Sequence, residues 1–350
     1  MLDEQLVQFI EKMPKVELHL HLEGSIHPQT AFDFMKRNDF KGAPKSASEI
    51  KDLYRFRNLT EFVEGMRTVS DNIRHLEDLH RVTCELINAL VEQNVRYVEF
   101  DCAFQKYLKL GFNIEEVIES IYSCAQERKE QNGIEVRLVV NLLRSHGPES
   151  ALQTVQKVID INHPFIVGIG LSGDESQYPQ ELFAEAFRLA QSHNLHRTVH
   201  AGEAMGPTSV WGAIEDLGAE RIDHGTRAIE DAQLVRYLVQ HQIPLTQCLS
   251  SNLRLNVVDD LDSHPFGKFY QQGVCVTLNT DDPQVFNTTL TNEYLIAARA
   301  FGLSIFDFTK IVLNGIYASF TSDDKKTQLF DDFESELCIL LEEVQSNIKL

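Results

Sequence analysis

Short runs of β-branched and other apolar residues recur along the chain, separated by longer stretches in which apolar positions return at helical spacing. A short apolar run reads as a strand buried on both faces, and a stretch of period 3.6 reads as an amphipathic helix. Their alternation predicts repeated βα units built on a parallel sheet. Eight strand candidates can be placed: Lys15–His21, Val95–Cys102, Ile134–Leu142, Phe165–Leu171, His196–His200, Arg221–His224, Ile243–Cys248 and Val274–Asn279. Eight is the number that a closed (β/α)8 TIM barrel needs. The helical stretches Leu76–Gln93, Ile114–Gln131, Gln180–His193 and Ala232–His241 are each long enough to cross back over such a barrel. No Gly/Ser/Pro-rich linker interrupts the series, so one domain over residues 1–350 is expected.

The span from Pro28 to Arg74 breaks the pattern, because it is too long for a simple crossover. It carries Leu59, Phe62, Val63 and Met66 at helical spacing. An amphipathic helix packed on the barrel and a lid over an active site both account for that stripe.

Composition narrows the class of partner. Apolar residues make up 43% and charged residues 24% of the chain, ordinary values for a globular protein. Its 32 basic and 52 acidic residues give a net charge of -20, without a long cluster of Lys and Arg to reverse it locally. Nucleic acid and anionic membranes are therefore not expected partners. The N-terminus carries Asp3, Glu4 and Glu11 instead of a basic leader, and no apolar run reaches the length of a membrane span. A cytoplasmic location is expected. Cys84, Cys102, Cys124, Cys248, Cys275 and Cys338 lie scattered, with no C-x-x-C pair, and read as reduced thiols, mostly in the core.

Ionisable residues collect at the C-terminal ends of the strand candidates, the face on which barrels of this kind carry their active sites. In His19-Leu20-His21 the strand period of two turns both imidazoles to one side, here the barrel interior, which makes half a zinc site. Strand five ends in His200-Ala201-Gly202-Glu203, strand six in Asp223-His224-Gly225, and strand eight in Asn279-Thr280-Asp281-Asp282-Pro283. Each supplies a ligand or acid–base candidate. A catalytic zinc needs imidazole and carboxylate donors with one position left for water, whose pKa the ion lowers towards neutrality. Attack by such a water needs an acid to protonate what it attacks, and Glu203 lies just past a ligand strand, where burial should raise its pKa.

A lone strand histidine is more often a satisfied core residue than a ligand. A core reading here must accept the cost of buried Asp and His at four separate strand ends, so the constellation favours chemistry. The nine other histidines, His264 among them, lie in helical, loop or strand-start positions and are assigned none. Other motif classes fail: there is no H-E-x-x-H, no P-loop and no G-x-S-x-G. The zinc deaminase signature H-x-E followed by P-C-x-x-C has only its first half, in His21-Leu22-Glu23.

Five motifs, in order, resemble the adenosine deaminases and their adenine deaminase relatives in the metal-dependent amidohydrolase superfamily. They are Pro14-Lys15-Val16-Glu17-Leu18-His19-Leu20-His21-Leu22-Glu23-Gly24-Ser25, Leu171-Ser172-Gly173-Asp174-Glu175, His200-Ala201-Gly202-Glu203, Arg221-Ile222-Asp223-His224-Gly225 and Leu278-Asn279-Thr280-Asp281-Asp282-Pro283. The resemblance covers nearly the whole chain. It implies that His19, His21, His200 and Asp281 hold one Zn2+ per chain and that Glu203 protonates N1 of a purine. His224 would orient the attacking water and help to deprotonate it, Asp282 would bond N7, and the Gly173 backbone N–H would bond N3. The segment around Leu59, Phe62 and Val63 looks like the family's hydrophobic lid, which favours the lid reading.

One departure bears on substrate. Adenosine-specific members usually carry Asp after the second histidine, placed to bond the ribose 5′-hydroxyl, whereas this chain has Glu23, common in adenine deaminases and in deaminases of modified adenosines such as aminodeoxyfutalosine. Against that, Thr277–Pro283 and Thr288–Tyr294 look more like adenosine deaminases. The resemblance therefore implies deamination of a 6-aminopurine nucleoside, adenosine or 2′-deoxyadenosine, to the 6-oxopurine and ammonia. Adenine or a 5′-modified adenosine is the alternative.

Overall fold

The computed structural model describes residues 2–54, 56 and 59–347. Its eight strands are β1 (Lys15–Glu17), β2 (Val95–Cys102), β3 (Glu135–Leu143), β4 (Ile166–Ser172), β5 (His196–Ala201), β6 (Arg221–His224), β7 (Leu245–Gln247) and β8 (Val276–Leu278). They pair in parallel in chain order. Past their regular ends β8 and β1 meet across the last gap, through a parallel bridge between Leu20 and Asp281. There the His21 N–H donates to the Asp281 carbonyl at 2.9 Å, and the Asp281 N–H donates to the His19 carbonyl at 3.0 Å. The expected (β/α)8 barrel is the fold.

The strands are buried on both faces, as a sheet sheathed in helices requires. Between them the interior is not wholly apolar. Arg221 on β6, fully buried, ion-pairs with Glu99 on β2 at 2.7 Å, and the Tyr97 hydroxyl donates to Glu99 at 2.7 Å. The Phe320 ring covers the guanidinium 4.0 Å away. The ion pair and the Ala318 carbonyl, which accepts from the same nitrogen at 3.1 Å, offset part of the cost of burying this charge, while its Nε and Nη2 have no hydrogen-bond partner among the described residues.

Helices Leu76–Glu92, Ile114–Asn132 and Ala232–His241 stand close to their expected bounds. The stretch expected at Gln180–His193 divides into a 3-10 turn at Gln180–Phe183 and a helix at Ala184–Ser192. The long span after β1 contains helices Pro28–Arg37, Ala47–Leu53 and Leu59–Ser70. The last of these packs on the 3-10 turn Glu23–Ser25, which follows the histidine pair, so it lies at the barrel mouth. No helix among the described residues is long and apolar enough to cross a membrane.

One expectation is corrected. Cys84 and Cys124 are joined in a disulfide between the packed helices Leu76–Glu92 and Ile114–Asn132, whereas Cys102, Cys248, Cys275 and Cys338 are free. The pairing depends on two helices coming side by side, which no local spacing of cysteines reveals. The bond closes a loop of 40 residues, worth about 4 kcal/mol on a chain-entropy estimate. Dithiothreitol is thus expected to lower the guanidinium midpoint of unfolding, and an unchanged midpoint would remove the bond from the list of stabilising contacts.

Candidate active site

At the C-terminal mouth four imidazoles converge. The His19 ring lies 5.5 Å from His21, 4.7 Å from His200 and 4.7 Å from His224. The His21 and His200 rings are 5.1 Å apart, and those of His200 and His224 5.0 Å. Each arrives from a different strand end except the first two, which the chain beyond β1 turns to one side. Asp281 enters from beyond β8 with φ 64, and His224 ends β6 with φ 63. Left-handed backbone at a non-glycine residue costs on the order of 1–3 kcal/mol, and it aims both side chains inward where continued strand would alternate.

The donor set fits a tetrahedral divalent ion. Asp281 Oδ1 stands 3.4 Å from His19 Nε2 and 3.2 Å from His21 Nε2. Donors held 2.0–2.1 Å from a common tetrahedral centre are separated by about 3.3 Å, and these two separations match such edges. The ligating atoms of His19, His21 and His200 all lie within 4.8 Å of one another. His19 Nε2 and His200 Nε2 are buried with no hydrogen-bond partner, a costly arrangement unless something else occupies their lone pairs. Cys248 approaches the group too, but its Sγ meets His19 at Nδ1, 3.4 Å away on the far side of the ring.

The electrostatics ask for a cation. Burial alone would lower the His19 pKa, yet the carboxylates of Asp223 and Asp281 overcome it and raise the group to about 9. Burial also opposes protonation of His21, and Asp281, Asp282 and Asp101 drive it well above the ordinary value. Asp281 is pushed up by burial and pulled further down by His19 and His21, ending well below the carboxylate range. Without an ion, protons on imidazole supply the missing positive charge.

Neighbouring groups orient these donors. Ser251 Oγ donates to Asp281 Oδ2 at 2.6 Å, which leaves Oδ1 for the imidazoles. His19 Nδ1 faces Thr246 Oγ1 at 3.1 Å, and the Thr246 hydroxyl donates to Asp223 Oδ1 at 2.8 Å. With its single proton given to Asp223, the hydroxyl can only accept from His19. The His19 proton therefore sits on Nδ1, and Nε2 presents a lone pair to the centre.

Glu203 is positioned by its loop. Glu175 accepts the backbone N–H groups of Gly202, Glu203 and Ala204 at 2.9, 3.0 and 2.9 Å. Burial raises the Glu203 carboxyl well above the usual range, and the charges of Asp281 and Glu175 add to it. It stands 3.6 Å from His224 Nε2. His224 is pushed down to about 3 by burial and the charge on His19, so it is neutral.

Asp282 is buried with Oδ1 unpartnered, and burial plus the charge of Asp281 raise it well above the ordinary value. It fits only because residue 24 is glycine: a Cβ there would lie 1.7 Å from Asp282 Oδ1. Glu23 is also buried, and its Oε1 accepts the Ala103 N–H at 3.1 Å. Gly173 is exposed just past β4, with φ 105.

From the helix Leu59–Ser70, Phe62 stacks on Phe286, with ring centroids 5.5 Å apart, and meets Phe56 edge-on at 5.2 Å. Val63 is exposed. The side chain of Leu59 lies outside the described residues. Sequence reasoning gave no role to Glu175, Thr246, Asn252, Ser251 or His264. Glu175 alone carried a signal, as the acid closing the Leu171–Glu175 motif.

Residues 14–336 match the family model described as adenosine deaminase. An adenosine deaminase from Clostridium kluyveri is 32% identical over 341 residues, covering 96% of this chain and 97% of its own. An adenine deaminase from Vibrio parahaemolyticus is 33% identical over 320 residues, 91% of this chain and 95% of its own. Among solved structures, an amidohydrolase from Burkholderia ambifaria with bound zinc superposes with a TM-score of 0.91 at 25% identity, covering 99% of this chain and 96% of that one.

Proposed function

Since the chain belongs to the adenosine deaminase family and is a hydrolytic deaminase, we propose that it converts a 6-aminopurine nucleoside, adenosine or 2′-deoxyadenosine, to the 6-oxopurine and ammonia. The observation that carries this reading is the pair of carboxyls beside the four-donor cluster, Glu203, 3.6 Å from His224 Nε2, and Asp282, buried with Oδ1 unpartnered, both of which burial pushes towards the protonated form. N1 and N7 of a 6-aminopurine are both acceptors, and each needs a donor to fix the ring. A protonated Glu203 meets N1, a protonated Asp282 meets N7, and the Gly173 N–H meets N3.

In this reading His19, His21, His200 and Asp281 hold the ion. When bound, a zinc ion supplies a Lewis acid that brings the pKa of a water near neutrality. Glu203 gives its proton to N1, which draws electrons from C6. Water adds to C6 and passes one proton to the Glu203 carboxylate left by that transfer, giving a tetrahedral carbon bearing hydroxyl and amine; the hydroxyl proton then moves to the amine, the C–N bond breaks, and ammonia leaves as the 6-oxopurine forms with N1 still protonated and Glu203 restored. His224, facing the same centre, orients the attacking oxygen. The helix Leu59–Ser70, with Phe62 and Val63 as substrate-facing residues, acts as a lid that limits the entry of other water.

Ultraviolet monitoring of adenosine, 2′-deoxyadenosine, adenine and a 5′-substituted adenosine side by side tests the proposal. Conversion of none of them would overturn it. A second reading, adenine as substrate, draws on Glu23 and on the Vibrio relative. The two separate at Glu23. One of its oxygens is anchored by Ala103, and the nucleoside reading gives the other to the sugar. Leaving a buried acceptor unpaired costs on the order of 1–3 kcal/mol, so Glu23→Gln should lower kcat/KM for adenosine roughly tenfold or more and spare adenine. An equal effect on both substrates would remove the sugar contact and make Glu23 a support of the site.

A further inference from the structure

His19 and His224 lie in the same cluster with their rings 4.7 Å apart, both fully buried, yet their surroundings treat them oppositely. The difference can be read from a chain of hydrogen bonds that begins at a group with no freedom. The backbone N–H of Phe266 donates to His264 Nδ1 at 3.1 Å. A ring nitrogen that accepts holds a lone pair, so the proton of this buried ring is on Nε2. Burial, which pushes His264 down to about 3, agrees with a neutral ring.

His264 Nε2 then lies 3.1 Å from Asn252 Oδ1, to which it donates, and the Thr226 hydroxyl donates to the same oxygen at 2.8 Å. Two donors on Oδ1 fix which way the amide faces. Its nitrogen is therefore the atom turned to His224, 3.1 Å from Nδ1. An amide nitrogen only donates, so His224 Nδ1 holds the lone pair and the proton sits on Nε2. That Nε2 faces the centre, 3.6 Å from Glu203 Oε1 and 3.8 Å from Asp281 Oδ2, and has no hydrogen-bond partner of its own. At His19 the count runs the other way, since Thr246 offers Nδ1 an acceptor.

We infer that His264 and Asn252 are positioning residues that fix the tautomer of His224, so that it meets the reacting oxygen as an N–H donor and is withheld from the metal. The inference rests on the reaction proposed above and alters one part of the family pattern. In the resting site His224 orients the attacking water by donating to it and takes no proton from it.

Ring-nitrogen chemical shifts of 15N-histidine-labelled protein, recorded with and without zinc, test it directly. The wild type should show His224 protonated at Nε2 and His264 protonated at Nε2 in both states; a proton on His224 Nδ1 would overturn the inference without any variant. Asn252→Asp presents only acceptors to Nδ1, so it should move the proton to Nδ1 and lower kcat about tenfold or more. His264→Leu should do the same, while His264→Gln, which keeps a donor for Asn252, should recover most of the rate. A wild-type rate in Asn252→Asp with the proton moved would show that the tautomer does not matter and would also overturn it. Failure of the reaction reading looks different: the predicted tautomer is present and none of the four purines turns over.

Discussion

Glu203→Gln is expected to keep the metal and the fold and to lose at least ~10²-fold in kcat, the scale of a lost general acid. The amide matches the carboxyl in shape, and the loop that presents it is held by Glu175 through three backbone N–H groups that the substitution leaves alone. What it cannot do is release a proton to N1. The pH profile separates this from a positional effect. Burial raises the Glu203 pKa well above the ordinary value, so the active, protonated form persists above the usual carboxylate range and is lost as pH rises through the raised value. The alkaline limb of kcat/KM should therefore disappear in whatever activity the variant retains. Stability should move the other way. A carboxyl with a raised folded pKa stabilises fully only below its unfolded value and loses that contribution as pH rises through the folded one. At neutral pH it burdens the fold, and the uncharged amide does not. A variant that turns over normally would place the acid elsewhere.

His200→Ala should release the ion and nearly all turnover with it. Its Nε2 is buried without a hydrogen-bond partner, and burial together with the charge on His19 holds the ring well below its ordinary pKa, hence neutral and ready to ligate. A four-ligand zinc site binds with about 10–16 kcal/mol near neutrality. An even share for one ligand is about 3 kcal/mol, roughly a hundredfold or more in affinity. Chelator competition and elemental analysis, with about one divalent ion per chain in the parent protein, measure the loss. Full occupancy and rate in the variant would show that the ligand set is misassigned.

The parts of this site that were legible in the sequence are those whose chemistry is carried by residue type at a strand end. His19 and His21 advertise themselves by spacing, and Glu203 by following His200. β1 was nonetheless expected to run to His21, and its regular pairing stops at Glu17, because the chain bends there to bring both imidazoles to the centre and to meet Asp281. What stayed hidden lives in contacts across the barrel. Thr246 and Asp223 act on His19 from strands far along the chain, and a threonine inside a strand has no signature beyond β-propensity. His264 sits in a loop, where a structural role is the default. Only its distances to Phe266 and Asn252 give it a further one. The Cys84–Cys124 bond was hidden for the same reason.

The bridge between Leu20 and Asp281 has a consequence for how the protein comes into being. The ring of strands is joined by backbone contacts among the residues proposed to hold the ion, and the joint brings together Leu18 and Asn279, 261 residues apart. A chain emerging from the ribosome thus makes its first two donors almost at once and its last near the end of synthesis. Until β8 docks, β1 is an unprotected edge of an unfinished sheet, and no tetrahedral pocket exists. Supply of the ion belongs to the final stage of maturation. A deletion that removes the last strand should leave an aggregation-prone intermediate, and no weak enzyme.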